Sequence, residues 1–184
     1  MPNEFLLATP VAFPAQSGVS HLYPSVHLAD AFAIRLPENA TNDVDLLARF
    51  IFSQQPSWIG KLMSARDAIV ACFGLKTSKH LATLAIDAKA QRVGYFKIYG
   101  TSQTEIVVGE DDTHLDFRVS VQCVKRAVPD SSRQLTVSTV VHCHNLLGRT
   151  YLAIIAPFHR MIIKASLRRA ARIGWPQAAA DRAS

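Results

Sequence analysis

The stretch Asp111-Asp112-Thr113-His114-Leu115-Asp116-Phe117-Arg118-Val119-Ser120-Val121 decides how this chain is read. A polar turn runs into a strand whose side chains alternate. Leu115, Phe117, Val119 and Val121 share one face, and Asp112, His114, Asp116 and Arg118 the other. The apolar face has to meet a core, as it does in an antiparallel sheet covered on one side. A second long strand, Gln134 to Asn145, carries Leu135, Val137 and Val141 on one face and His142 and His144 on the other. If the two pair across the 126–133 loop, facing residue numbers sum to about 258. That sets Asp116 opposite His142 and His114 opposite His144.

Working outward, the period is two from Val93 onward. Val93–Tyr99 and Thr104–Gly109 read as two further strands. Gly100-Thr101-Ser102-Gln103 and Glu110-Asp111-Asp112-Thr113 supply hairpin turns, and Pro129-Asp130-Ser131-Ser132 closes the longest loop. Connections this short predict an antiparallel meander. Upstream, Phe32, Ile34 and Leu36 alternate in a strand stopped by Pro37. Thr41-Asn42-Asp43 caps a helix over 43–54 with Val44, Leu47, Phe50 and Ile51 inward. Trp58, Leu62, Ala65, Ile69, Cys72 and Phe73 keep helical spacing in a second helix, 58–73, which Gly74 stops. A long terminal helix, 148–173, offers Tyr151, Ile155, His159, Ile162, Ser166, Ala170 and Ile173 to the core. Pro157 predicts a kink or restart within it.

This order gives an α+β fold: a curved antiparallel sheet of about five strands packed on a long C-terminal helix, with a two-helix insertion after the first strand. Such an arrangement is helix-grip-like. The expected division is an N-terminal arm over 1–28 with four prolines, one domain over 29–174 and a tail over 175–184. The arm either lies over the domain or is partly loose.

Composition sets bounds. The chain has 184 residues, enough for one full core, with 49% hydrophobic and only 18% charged residues, so it is no disordered segment. Its +6 charge gathers near the C-terminus, at Arg160, Lys164, Arg168, Arg169, Arg172 and Arg182. No basic run interleaved with aromatics is present, so nucleic acid is not an expected partner. No apolar run is long enough for a membrane span. Cys72, Cys123 and Cys143 sit in apolar patterns without CxxC spacing and read as buried thiols of a reducing compartment. The apolar start lacks a basic n-region and is broken by Pro10 and Pro14, so a cytoplasmic protein is expected.

Several of these motifs together resemble a known bacterial family. They are Arg92-Val93-Gly94-Tyr95-Phe96, Gly109-Glu110-Asp111-Asp112, His114-Leu115-Asp116-Phe117-Arg118, Asn145-Leu146-Leu147-Gly148-Arg149 with Tyr151, and Pro157-Phe158-His159-Arg160. The chain resembles the domain of unknown function 2867 family over roughly residues 28–173. The resemblance implies a fold of the START/Bet v 1 helix-grip (SRPBCC) group, which often encloses an apolar cavity. It supplies no catalytic roles. In some longer chains a similar domain follows a short-chain-dehydrogenase-like one. This chain has no GxGxxG at a strand–helix junction, and no cofactor is expected.

The leading expectation is an apolar or amphipathic small molecule bound between sheet and terminal helix. Phe96, Ile98, Phe117, Val119, Val137, Val141, Ile155, Phe158 and Ile162 would form the wall and His159 the polar anchor. The plainer reading of His159 is a core histidine bonded to a carbonyl or to Tyr95 or Tyr99. An enzyme alternative uses His114, Asp116 or His159 as acid or base, and a metal alternative uses His114, Asp116, His142 and His144. Against both, the polar strand face reads as the outer face, solvated or covered by a partner. A third alternative makes it an interaction module, with a homo-oligomer as one form. The basic stripe Arg160, Lys164, Arg168 and Arg172 reads most simply as the solvated side of the last helix, its cations favoured near the C-terminal dipole end. Trp58 is expected in the core. Ser57, Ser120 and Ser138 lie in no nucleophile-elbow sequence.

Overall fold

A computed structural model describes residues 4–61, 64, 92–125 and 132–178. A 3-10 turn, Glu4–Leu6, leads into β1 (Thr9–Pro10) and β2 (Leu28–Leu36). Helix α1 (Val44–Ser53) follows, then β3 (Arg92–Val93), β4 (Phe96–Thr101), β5 (Glu105–Asp111), β6 (Leu115–Lys125), β7 (Arg133–Cys143) and the terminal helix Leu146–Ile173. The strands form one open antiparallel sheet in the order β1-β2-β7-β6-β5-β4-β3.

Among the described residues the sheet therefore has seven strands, not about five. The two extra are β1 and β3, each two residues long, and two residues cannot display a period of two. Pro10 is tolerated in β1 because that strand is an edge. The expected 258 rule holds along the β6–β7 pair, with Leu115 opposite Cys143 and Asp116 opposite His142. The β3–β4 turn has two residues, and Gly94 takes φ +59° at its first position, as a primed hairpin turn requires.

Helix α1 begins where expected. Asp43 caps it by accepting hydrogen bonds from the Asp45 and Leu46 amides. Residues 57–61 are helical again, but Leu62, Ala65, Ile69, Cys72, Phe73 and Gly74 fall outside the described residues, as does the 126–131 loop. Trp58 is half-exposed and not in the core.

One face of the sheet carries the main core. Phe32, Ile34 and Leu36 of β2 join Leu135 and Val137 of β7, Val119 and Val121 of β6, and Ile106 and Val108 of β5. Leu47 and Ile51 of α1 and Ile163, Leu167 and Ala170 of the terminal helix close over them. Fully burying each such side chain contributes about 1.5–3 kcal/mol. A smaller cluster, Leu28, Leu115, Val141, Cys143 and Leu152, sits at the other end. Cys123 and Cys143 are buried free thiols; Cys72 lies outside the described residues.

The terminal helix starts at Leu146, capped by Asn145, whose side chain accepts from the Gly148 amide at 3.0 Å. Gly148 is required there: a Cβ would come within 2.1 Å of the His114 carbonyl oxygen, so only glycine lets the helix start against the β6 entry. The helix continues through Pro157 to Ile173 without a restart. Its buried stripe is Leu152, Ile163, Ser166, Leu167 and Ala170, with Ile155 and Ile162 half-buried and Phe158 and Ile173 exposed. The predicted stripe was one residue out of register in places, because both faces of this helix carry aliphatic residues and periodicity alone cannot choose between them. Beyond Gly174, Trp175 is buried against Phe50, and Thr41 donates its amide to the Pro176 carbonyl at 2.7 Å. Residues 175–178 are thus docked.

Candidate functional site

Two polar groups stand out, one on each face of the sheet. On the helix side, Asp30 of β2 and Thr139 of β7 are paired residues at the sheet centre. His159 of the terminal helix reaches down to them. Its Nε2 shares a 3.1 Å hydrogen bond with the Thr139 hydroxyl and lies 3.6 Å from Asp30 Oδ1. Arg160 donates to Asp30 Oδ2 at 3.2 Å. Asp30 Oδ1 is buried and accepts no hydrogen bond. His159 therefore faces the sheet, as its position between Ile155 and Ile162 predicted. Its partners are not Tyr95 or Tyr99.

The expected wall residues divide. Val119, Val137 and Val141 are buried. Phe96, Ile98 and Phe117 are only partly buried on the same face, and Phe117 packs against both apolar clusters. Phe52, Phe96 and Phe117 stand edge to face in a row, with centroids 5.4 and 5.5 Å apart. Ile155 and Ile162 flank His159, whereas Phe158 turns outward.

The other face is not the solvated or partner-covered surface that its charges suggested. The chain's own N-terminal arm lies on it. Glu105 of β5 is the latch: its carboxylate accepts from the hydroxyls of Ser17 (2.6 Å) and Ser120 and from the Gly18 amide at 3.0 Å. Val19, Arg118, Ser120, Ser138 and Val140 are buried as a result. Further along, Arg118 lies 3.4 Å from the Tyr99 ring centroid and 6.0 Å from that of Tyr23 in the arm. Arg118 also donates to Asp111 at 2.6 Å and to the Phe117 carbonyl. Gly109 makes this possible, because a Cβ there would stand 2.8 Å from Arg118 Cδ and 2.2 Å from the Phe117 carbonyl oxygen.

Electrostatics follow from these contacts. Burial pushes the Tyr23 hydroxyl up to about 12. Burial and the bond to Asp111 hold the Tyr99 hydroxyl well above its ordinary range. Burial alone would raise Asp111, but the hydrogen bonds from Tyr99 and Arg118 outweigh it and the carboxyl lies low.

The histidines come together here, each with at least one ring nitrogen engaged. Asp116 faces His142 in register, yet its carboxylate reaches diagonally to His144 Nε2 at 2.9 Å. His144 Nδ1 meets the Thr113 carbonyl at 3.3 Å. The Asp116 contact first, helped by that carbonyl, raises the His144 pKa. Both contacts favour the protonated ring. His142 Nδ1 lies 2.7 Å from the Ser25 carbonyl, and its ring stacks on Tyr23 at 5.5 Å. His114 Nδ1 takes a hydrogen bond from the Asn145 amide at 2.9 Å. His27 Nδ1 accepts from the Cys143 amide at 3.1 Å; burial first, then Arg149 and His142, lower its pKa. Among the described residues no three His, Cys, Asp or Glu side chains gather so as to hold a metal ion. The Asp112 amide donates to Asp116 Oδ1 at 3.2 Å. The cluster's contacts tie strand ends, arm and helix start together.

Sequence reasoning missed the latch of Ser17 and Glu105 and the contacts of Arg118 with Tyr23 and Tyr99. Glycine facing arginine, at Gly109 and Arg118, was the one readable sign. The arm, without periodicity, gave none.

The fold and the two polar groups define an α+β protein with an open antiparallel sheet, covered by helices on one face and by its own arm on the other. A family model described as a protein of unknown function, DUF2867, matches residues 22–166, and the chain belongs to that family. Neither the curated proteins nor the solved structures contain a match. Among the described residues no helix is long and apolar enough to cross a membrane.

Proposed function

We propose that this protein binds an amphipathic small molecule on the helix side of the sheet, in the manner of the START/Bet v 1 helix-grip group. The apolar part would lie along Phe96, Ile98 and Phe117 beside Ile155 and Ile162. The polar end would reach Asp30, Thr139 and His159. One observation carries the reading: Asp30 Oδ1 is buried and accepts no hydrogen bond, with His159 Nε2 3.6 Å away. An unpaired buried carboxylate oxygen is costly and rare, and a hydrogen-bond donor on a ligand would satisfy it. Only partial burial of three large side chains on the same face supports an adjoining apolar surface. Phe158, which faces outward, has no part in this wall.

The test is native mass spectrometry of the full chain after incubation with a lipid and metabolite extract. One or a few retained species are expected, with less retained by Phe117→Trp, which fills the wall, and by Asp30→Asn, which weakens the acceptor. Retention of nothing, or of the same species by both folded variants, would sink the reading.

A further inference from the structure

A cleft of about 380 Å³ lies on the far side of the terminal helix, away from His159, lined by Arg168, Arg169 and Arg172 with Pro56, Trp58, Ala165 and Ile173. Arg168 and Arg172 are four residues apart and Arg169 and Arg172 three, so each pair neighbours on the helix surface, and all three line the cleft. Among the described residues none of them has an ion-pair partner. Among the described residues no carboxylate lines the cleft. Arg160 on the same helix, by contrast, is paired with Asp30, so the lack of partners is local. The helix C-terminal dipole favours cations here. It does not explain why a second element brings an indole against them, nor why a tryptophan that periodicity assigns to the core stands half-exposed.

We propose that this cleft is a binding site for a small organic phosphate, a phosphate monoester that carries a flat or apolar group. Three guanidinium forks supply the planar donor geometry that phosphate oxygens accept, and like charges held together are relieved by a bound dianion. Pro56, Ala165, Ile173 and the Trp58 ring supply the apolar wall for the ester group. The volume falls in the range of small-molecule sites, about 300–1,000 Å³. The site is separate from the one under the helix and does not depend on it.

Calorimetric titration of the full chain at low salt, with phenyl phosphate and with inorganic phosphate in turn, is the experiment. Saturable binding of phenyl phosphate with one site per chain is expected, tighter than inorganic phosphate. Arg168→Ala combined with Arg172→Ala should weaken it by about tenfold or more, about 1.4 kcal/mol. Trp58→Ala should erase the preference for phenyl phosphate and leave inorganic phosphate binding in place. All three positions are solvent-accessible, so circular dichroism and melting should be unchanged, and this is checked first. No saturable binding of phenyl phosphate overturns the proposal, as does binding that the double arginine variant keeps. So does association with phosphatidylglycerol vesicles in the absence of binding to either soluble phosphate, which would make the arginines a lipid-surface patch.

Discussion

The two faces of the β6–β7 pair are both buried, by different chemistry. Toward the helices, Val119, Val121, Leu135 and Val137 pack against aliphatic side chains. Toward the arm, Arg118, Ser120 and Ser138 are buried beneath a segment held by a few charge-assisted hydrogen bonds. Apolar packing is non-directional and spread over many contacts, so it tolerates shifts and sums to the bulk of stability. The arm face depends on single carboxylates meeting single donors. It is specific and local, and it can be undone one residue at a time.

The contrast is broken most severely from the helix side. Leu135→Ala, at a fully buried position, is expected to lower unfolding free energy by about 2–5 kcal/mol in urea denaturation, loosening the whole sheet. A loss no larger than that of an exposed substitution would mean that the helix face is not the main core. Next in size is Glu105→Gln. The latch loses charge-assisted bonds from Ser17, Ser120 and Gly18, at a cost of about 1–2 kcal/mol. Hydrogen exchange should speed at the Gly18 and Val19 amides while the Leu135 and Val137 amides stay protected. Equal acceleration at both sites would show that arm and core open as one unit.

The smallest effect is expected at Asp116→Asn, on a partly exposed pair worth at most about 1 kcal/mol. His144 has its pKa raised by Asp116. Its stabilising contribution is therefore complete below the unfolded value near 6.5 and is lost as pH rises through the folded pKa. NMR titration should find the His144 pKa lowered in the variant, with that pH dependence reduced. His27 runs the other way: its lowered pKa contributes stability that is present above the ordinary value and lost as pH falls through the folded pKa. An unchanged His144 titration in Asp116→Asn would break the assignment of that pair.

Much of this was legible in the chain and some was not, for identifiable reasons. The β6–β7 register followed from alternation and loop position, and the α1 start from Asp43. His159 was correctly turned toward the sheet. The count of strands was not legible, because Thr9–Pro10 and Arg92–Val93 are too short to show a period. Phe158 and Trp58 were misassigned because an apolar residue at helical spacing reads as core whether or not anything packs on it. The polar strand face reads from sequence as solvated or covered by a partner, since nothing in residues 4–27 predicts which surface that segment will cover.

By itself, then, the sequence determined the elements that rest on local physics: alternating strands, a capped helix, turns, a long terminal helix. Only the tertiary structure decided which polar residues meet. Asp30 reaches His159 and Arg160, Glu105 reaches Ser17, and Arg118 reaches Tyr23 and Tyr99, across separations of 129, 130, 88, 95 and 19 residues. Periodicity acts within a turn or two of the chain. Contacts at those separations are set by which buried surfaces find one another, and no local pattern records that.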